Sequence, residues 1–262
     1  VEGDGDNSMR IRVLGSSGAE FPNFNLPAFL IDDSLLLDAG TIGAVLDENA
    51  QWKIKHILLT HAHLDHIRGI PFLADNIIIK NKRHRVTVIG ISPVLKSLKS
   101  HLLNDKVWPD FTSIPNIANS VLRLKSIKVG KTIRVGDYKV TAYRVNHSVS
   151  AVGYIIESKE GKRLLYTGDT GPTEAIWKET KIPVDCVIVE VSMPNSMRDM
   201  AVKTGHLTPQ LLMEEIKKMR HIPRRILVTH PKPQYLKRIK TEVERLGMKN
   251  IKILSDGDVY KI

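Results

Sequence analysis

Cysteine is almost missing from this sequence of 262 residues: Cys186 is the only one. An intramolecular disulfide is thereby excluded, and so is a metal site built from several thiolates. Cys186 stands in the apolar run Val184 to Val191 and reads as a small core residue. Aromatic residues are also scarce, at 5%. No ladder of alternating aromatic and basic residues is present of the kind that grips single-stranded nucleic acid. No apolar run approaches the ~18 residues that a membrane span requires. Val1 to Ser8 are acidic and Gly-rich, without the apolar stretch of a secretion signal. Met9 is the expected natural start, with residues 1–8 a tail or a remnant of expression and residues 9–262 a single domain. A cytoplasmic protein without membrane association is the economical expectation.

Acidic residues are outnumbered. Lys and Arg total 39 against 28 Asp and Glu, a net charge of +11. Such a balance favours an anionic partner, either a nucleotide, a nucleic acid or an acidic surface. A lysine-rich, solubilising surface accounts for it equally well.

Histidine is what the chain concentrates. In Thr60-His61-Ala62-His63-Leu64-Asp65-His66, potential metal ligands crowd together directly after the apolar run Ile57-Leu58-Leu59. Alternate side chains of an extended chain share a face, so His61 and His63 can turn toward one ion. Asp65 and His66 follow as the chain turns away and can reach a second ion. Imidazole nitrogen with carboxylate oxygen suits Zn2+, with Mn2+ or Fe2+ as alternatives.

The rest of the pattern is β-rich with helices in both halves, which implies layered α/β. Strands are expected at Arg10–Leu14, Ala28–Ile31, Ser34–Leu37, Ile54–Thr60, Ile77–Lys80 and Arg85–Ile89, the last two around the basic turn Asn81 to His84. Further strands are expected at 122–129, 131–135, 138–145, 153–158, 163–166, 184–191, 225–229, 251–254 and 259–262. Helices are expected over 43–51, from Ser92-Pro93 with Ser92 as N-cap, from Thr208-Pro209, and over 234–246.

Five apolar runs end in a residue able to bind metal or act in catalysis: His61, His147, Asp169, Glu190 and His230. If the strands share a rim, these ends converge. His147, Asp169 and His230 then complete two coordination shells, with the Asp169 carboxylate able to bridge. His56, His84, His101 and His221 lie in basic or mixed contexts and read as surface residues. His206, in Gly205-His206-Leu207-Thr208-Pro209, precedes a helix start, where unpaired backbone N–H groups attract anions.

These residues resemble the metallo-β-lactamase fold superfamily, whose signature is the H-x-H-x-D-H of His61 to His66. Within it, the block His61 to Gly69 is similar to that of class II cyclic-nucleotide phosphodiesterases. So are Leu14 to Gly18, Leu35 to Gly40, Val107-Trp108-Pro109-Asp110-Phe111-Thr112, Gly205 to Thr208 and Thr229 to Pro233. The likeness runs from about Arg10 to the C-terminus. One departure concerns Ile70 to Asp75, which lacks the Ser of the class II pattern. The tRNA 3′-processing endonucleases of the same fold share the ligand set and a late His backed by a Glu. Their long substrate-gripping arm has no counterpart in the short stretch Ser148 to Gly168.

The resemblance implies a four-layer αβ/βα sandwich, a single hydrolase domain over 9–262, and a site on one rim. By it, His61, His63 and His147 hold one divalent ion, Asp65, His66 and His230 hold the other, and Asp169 bridges. A bridging hydroxide, oriented by Asp65, attacks phosphorus. His206 stabilises phosphoryl oxygens or protonates the leaving 3′ oxygen, with Glu190 holding its ring. The expected substrate is a small anionic cyclic nucleotide. RNA or DNA is the alternative, and a non-catalytic nucleotide-binding or metal-sensing protein a third. A homodimer accords with the sequence as well as a monomer does.

Overall fold

The computed structural model describes residues 8–80, 83–179 and 183–262. Its strands are β1 (Arg10–Gly15), β2 (Ala28–Ile31), β3 (Leu35–Leu37), β4 (His56–Leu58), β5 (Val86–Gly90), β6 (Leu122–Ser126), β7 (Thr132–Val135), β8 (Tyr138–Arg144), β9 (Val152–Glu157), β10 (Arg163–Tyr166), β11 (Cys186–Glu190), β12 (Arg225–Thr229), β13 (Ile251–Ile253) and β14 (Val259–Lys261). The α-helices are α1 (Glu48–Gln51), α2 (Leu64–Ile67), α3 (Gly69–Ile79), α4 (Ser92–His101), α5 (Ala175–Glu179), α6 (Arg198–Thr204), α7 (Pro209–Ile216) and α8 (Leu236–Glu244).

The strands form two mixed sheets, ordered β14-β1-β2-β3-β4-β5-β6 and β13-β12-β11-β10-β9-β8-β7. Each is antiparallel over one half and parallel over the other. Pairing is parallel from β3 to β6 and from β10 to β13.

Strand periodicity sets the layers. Successive side chains point to opposite faces, and in the second sheet both faces are apolar. Leu164, Tyr166, Cys186, Ile188 and Leu227 enter the core shared with the first sheet. Their neighbours Leu165, Val187, Val189, Ile226 and Val228 pack instead with Trp177 of α5, Ala201 of α6, Leu212 of α7 and Ile239 of α8. On the other side Ile70, Leu73 and Ile77 of α3, with Val94 and Leu98 of α4, cover the first sheet. The result is the expected four-layer αβ/βα sandwich. Each fully buried Leu or Ile contributes roughly 1.5–3 kcal/mol relative to exposure. Cys186 is buried, and burial pushes its thiol pKa up to about 12. Among the described residues no helix is long and apolar enough to cross a membrane.

Several local expectations are corrected. Ile77 to Lys80 are not a strand; Ile77–Ile79 close α3, where Ile70, Leu73, Ala74 and Ile77 are buried at helical spacing. The β-branched run favours a strand locally, but the buried face of the helix decides. Asn81 and Lys82 of the basic turn lie outside the described residues. Ser92 is the first residue of α4 and Ile91 its N-cap. The first helix is short because its cap lies late: Asp47 accepts from Ala50 N at 2.8 Å. Helix α6 has no counterpart among the expected elements. His84 is half-buried and donates from Nε2 to the Ile54 carbonyl at 2.7 Å, and His56 is half-buried too, so neither is a plain surface residue.

Candidate metal centre

The parallel strands of both sheets deliver their C-terminal ends to one rim, where ligands gather in open α/β sheets. Asp38 follows β3, His61 follows β4, Asp169 follows β10, Glu190 ends β11 and His230 follows β12. β8 runs in the same direction as β10, because two antiparallel steps separate them, and so brings His147 to that rim. Asp65 and His66 lie on α2, directly behind His61 and His63.

Two ligand groups that share a residue result, with a third, Glu190, His206 and His230, adjoining them. His61, His63, His147 and Asp169 form one, and Asp65, His66, Asp169 and His230 the other; within each, the ligand atoms lie within 4.8 Å of one another. Asp169 belongs to both. Its Oδ2 lies 3.7 Å from His61 Nε2 and 3.3 Å from His230 Nε2, and its Oδ1 3.4 Å from His66 Nε2. Asp65 Oδ2 is 3.3 Å from His230 Nε2.

The hydrogen-bond pattern around the rings identifies which nitrogens face inward. The Thr60 hydroxyl has one proton, and Asp38 Oδ2 lies 2.8 Å away to accept it. Thr60 Oγ1 therefore accepts from His61 Nδ1 at 3.0 Å. His66 Nδ1 donates to Asp38 Oδ2 at 2.8 Å, and His147 Nδ1 donates to the Gly205 carbonyl at 2.9 Å. Ser192 Oγ donates to Glu190 Oε2 at 2.9 Å and accepts from His230 Nδ1 at 2.9 Å. In its neutral form each of these four rings therefore presents its Nε2 lone pair to the centre, the tautomer that metal-binding histidines adopt. His63 turns Nδ1 inward, 3.2 Å from His147 Nε2.

This arrangement fits a pair of divalent cations. His61 Nε2 is buried with no hydrogen-bond partner among the described residues, a costly state that a cation relieves. Borderline imidazole and carboxylate donors without thiolate suit zinc, manganese or iron.

The electrostatics point the same way. Burial opposes ionisation of Asp169, but His230, His66 and His61 outweigh it and hold the carboxyl well below its usual range. Burial likewise disfavours charge on His66, yet Asp169 and Asp38 raise its pKa well above the ordinary value. Desolvation followed by His66 lowers His61 strongly. Desolvation also lowers His63 and His147. The carboxylates draw positive charge into the centre, while most of the rings resist carrying it as protons.

His206 stands beside both groups. Its ring lies 5.1 Å from that of His147 and stacks 5.7 Å from that of His230. Nδ1 donates to Glu190 Oε1 at 2.7 Å. Glu190 is fully buried and also accepts from Thr170 N at 3.1 Å and Leu207 N at 3.3 Å. Burial opposes a charged His206, but Glu190 outweighs it and raises the pKa to about 9. The expected anion site at the start of α7 is not open. Gln210 N is taken by Asn195 Oδ1 at 2.8 Å and Leu211 N by Thr208 Oγ1 at 3.3 Å. His206 faces the histidine cluster instead.

The structure brings together all nine residues expected at the site. Sequence reasoning missed Asp38, Thr60 and Ser192, which fix the rings. It also missed two glycines that make room. A Cβ on Gly18 would lie 2.4 Å from the His230 carbonyl oxygen and 2.5 Å from Nδ1. Gly205 (φ +73°) ends α6 in the left-handed conformation, and a Cβ there would lie 2.8 Å from His147 Cα. Asp38 carried a signal, since it ends an apolar run as the ligands do.

Residues 36–231, three quarters of the chain, match the model of the beta-lactamase superfamily domain. The chain belongs to the beta-lactamase superfamily. Within this superfamily it is similar to a probable 3′,5′-cyclic-nucleotide phosphodiesterase of Yersinia pestis, at 26% identity over 70% of the chain and 58% of that relative. The match thus spans less than two thirds of that relative's own length. A ribonuclease Z of Archaeoglobus fulgidus is 21% identical over 87% of the chain and 89% of its own length. The crystal structure of YhfI from Bacillus subtilis, a metallo-beta-lactamase fold protein, superimposes with a TM-score of 0.79 at 17% identity. That match covers 97% of this chain and 100% of YhfI, and it establishes the fold alone.

Proposed function

We propose that this chain is a phosphodiester hydrolase using two divalent metal ions, and that its substrate is a 3′,5′-cyclic nucleotide opened to the nucleoside monophosphate. The observation that carries the reading is the position of His206, held by Glu190 at 2.7 Å beside two ligand groups that share Asp169. Likeness to a cyclic-nucleotide phosphodiesterase and to ribonuclease Z supports phosphodiester chemistry.

His61, His63 and His147 would hold one ion, Asp65, His66 and His230 the other, with Asp169 shared. Such ions neutralise phosphoryl charge and lower the pKa of a water molecule. The chain's own residues do the rest. Asp65 is 27% exposed in its side chain, and His230 and His66 keep its carboxyl ionised despite burial. It accepts a hydrogen bond from the attacking water and fixes its approach. As the new P–O bond forms, the P–O3′ bond breaks on the opposite side. His206, whose pKa Glu190 raises to about 9 in the metal-free chain, gives its proton to the departing 3′ oxygen. Glu190 keeps Nδ1 engaged, which leaves Nε2 for that transfer.

RNA cleavage is the second reading. It is favoured by the near full-length likeness to ribonuclease Z and by the charge of +11. The metal-reconstituted protein should be assayed side by side on cyclic AMP, cyclic GMP, a nitrophenyl phosphodiester and a precursor tRNA. The proposal expects the cyclic nucleotides to be turned over fastest. Preference for the tRNA with steep salt dependence favours the second reading, and no turnover of any of the four defeats both.

A further inference from the structure

A cavity of about 440 Å³ opens beside the metal centre, and His63 lines it. The size lies within the roughly 300–1,000 Å³ of small-molecule sites. On one side α4 contributes Val94, Ser97 and His101 at i, i+3 and i+7, a single helical face. Leu64 and Ile67 of α2 also line it, as do Val149 and Ser150 from the loop just after His147. Two elements that supply metal-centre histidines thus also wall the cavity.

Its chemistry departs from the rest of the molecule. Charged residues make up 26% of the chain, yet among the described residues no Lys, Arg, Asp or Glu lines this cavity. The walls are mostly aliphatic. Leu64 is 63%, Val107 60% and Val149 41% exposed, large apolar side chains left in water beside the site. Next to Val107, Trp108 meets Phe72 edge-on with ring centroids 5.1 Å apart, which gives that segment a firm footing.

We propose that this cavity holds the nucleobase of the substrate, an inference that rests on the phosphodiesterase reading. Because His63 belongs to both places, the cavity adjoins the centre at which the phosphoryl group would be held. Aliphatic walls suit the two faces of a flat ring. The hydroxyls of Ser97 and Ser150 and the His101 imidazole supply hydrogen bonds for ring heteroatoms, which an alkyl chain would not use. A polyanionic strand leaving on this side would meet no cation along the cavity wall to replace its counterions. The cavity therefore selects a compact mononucleotide.

The test separates this inference from the hydrolase reading. Binding of adenosine and guanosine, which carry no phosphate, is measured by calorimetry on the metal-loaded chain and on Ser97→Trp and Val107→Glu. The first variant fills the cavity from α4; the second adds a charge at an exposed position that the fold tolerates. Nucleoside binding that weakens tenfold or more in both variants is expected. Equal binding in the variants, no nucleoside binding by the unaltered chain, or tighter binding of octanol than of either nucleoside overturns the inference. In parallel, kcat/KM for cyclic AMP is compared with that for the same cyclic phosphate on a sugar without a base. The ratio should fall at least tenfold in both variants, and a constant ratio also overturns the inference. If the unaltered chain cleaves neither ester, the hydrolase reading fails while the nucleoside measurement still decides the cavity.

Discussion

Asp38 Oδ2 lies 2.8 Å from Nδ1 of His66 and fixes which nitrogen that ring offers to the centre. The same carboxylate accepts from Thr60 N at 2.8 Å, Thr60 Oγ1 at 2.8 Å and the Tyr166 hydroxyl at 2.7 Å. It thereby also governs His61, whose Nδ1 leans on Thr60 Oγ1. One buried side chain thus orients a ligand in each of the two groups. Asp38→Ala should weaken metal binding by about 10–100-fold, the usual cost of losing such a support. Competition with a calibrated zinc chelator reads this directly, and unchanged affinity would deny Asp38 that role.

His206→Gln keeps a side chain of similar reach but has no transferable proton. It should retain the full metal content of the unaltered chain and lose roughly 10²–10⁴ in kcat toward esters with poor leaving groups. Toward a nitrophenyl ester the loss should be smaller, because that leaving group departs without a proton. Equal losses on both esters would contradict the assignment of His206 as the acid.

The pH dependence follows from the same ring. In the proposed mechanism the protonated form of His206 is the donor, and its pKa is raised to about 9 by Glu190. Bound cations nearby lower that value, so kcat should fall with rising pH along a limb centred at or below about 9. In His206→Gln this limb should vanish. The stability sign is consistent. A raised folded-state pKa contributes stability that is complete below the ordinary 6.5 and is lost as pH climbs through about 9. Thermal melts of the metal-free chain from pH 6 to pH 10 should show such a loss, and His206→Gln should flatten it.

Away from the centre, Glu215 is a buried carboxylate on α7. Its oxygens accept from Trp177 Nε1 at 2.7 Å, Thr173 N at 2.9 Å and Lys218 Nζ at 2.6 Å. Glu215→Ala leaves a buried indole N–H without a partner and opens a void. A loss of about 2–4 kcal/mol is expected. Denaturant unfolding measures it, and metal stoichiometry should not change.

Gly18→Ala probes packing against a ligand. The added Cβ would press on the carbonyl and ring of His230, whose backbone is already in the left-handed region at φ +65°. Metal affinity should fall although no ligand is altered. A chelator titration matching that of the unaltered chain would show that His230 can yield.

The centre is legible in the sequence for a physical reason. Apolar strands that end in His, Asp or Glu are rare enough, taken together, to mark a shared rim from residue order alone. His147, Asp169, Glu190 and His230 are each weak singly and informative jointly. Asp38 and Ser192 escape because their work is to orient other side chains, and a Ser two residues after Glu190 has no distinguishing type. Long strands are placed well, since period-2 burial fixes them. Ile77 to Lys80 mislead because local β propensity there is overruled by the packing of α3. The open anion site before α7 misleads because Asn195, distant in sequence, fills it.

The central claim is that two ions share Asp169, and counting them tests it most directly. Metal-free protein should be titrated with Zn2+, and separately with Mn2+, and the bound ions counted by calorimetry and elemental analysis after desalting. About two ions per chain are expected, with Asp169→Ala losing affinity at both sites together. One ion or none after gentle reconstitution, or an Asp169→Ala protein that still binds two with unchanged affinity, would contradict the claim.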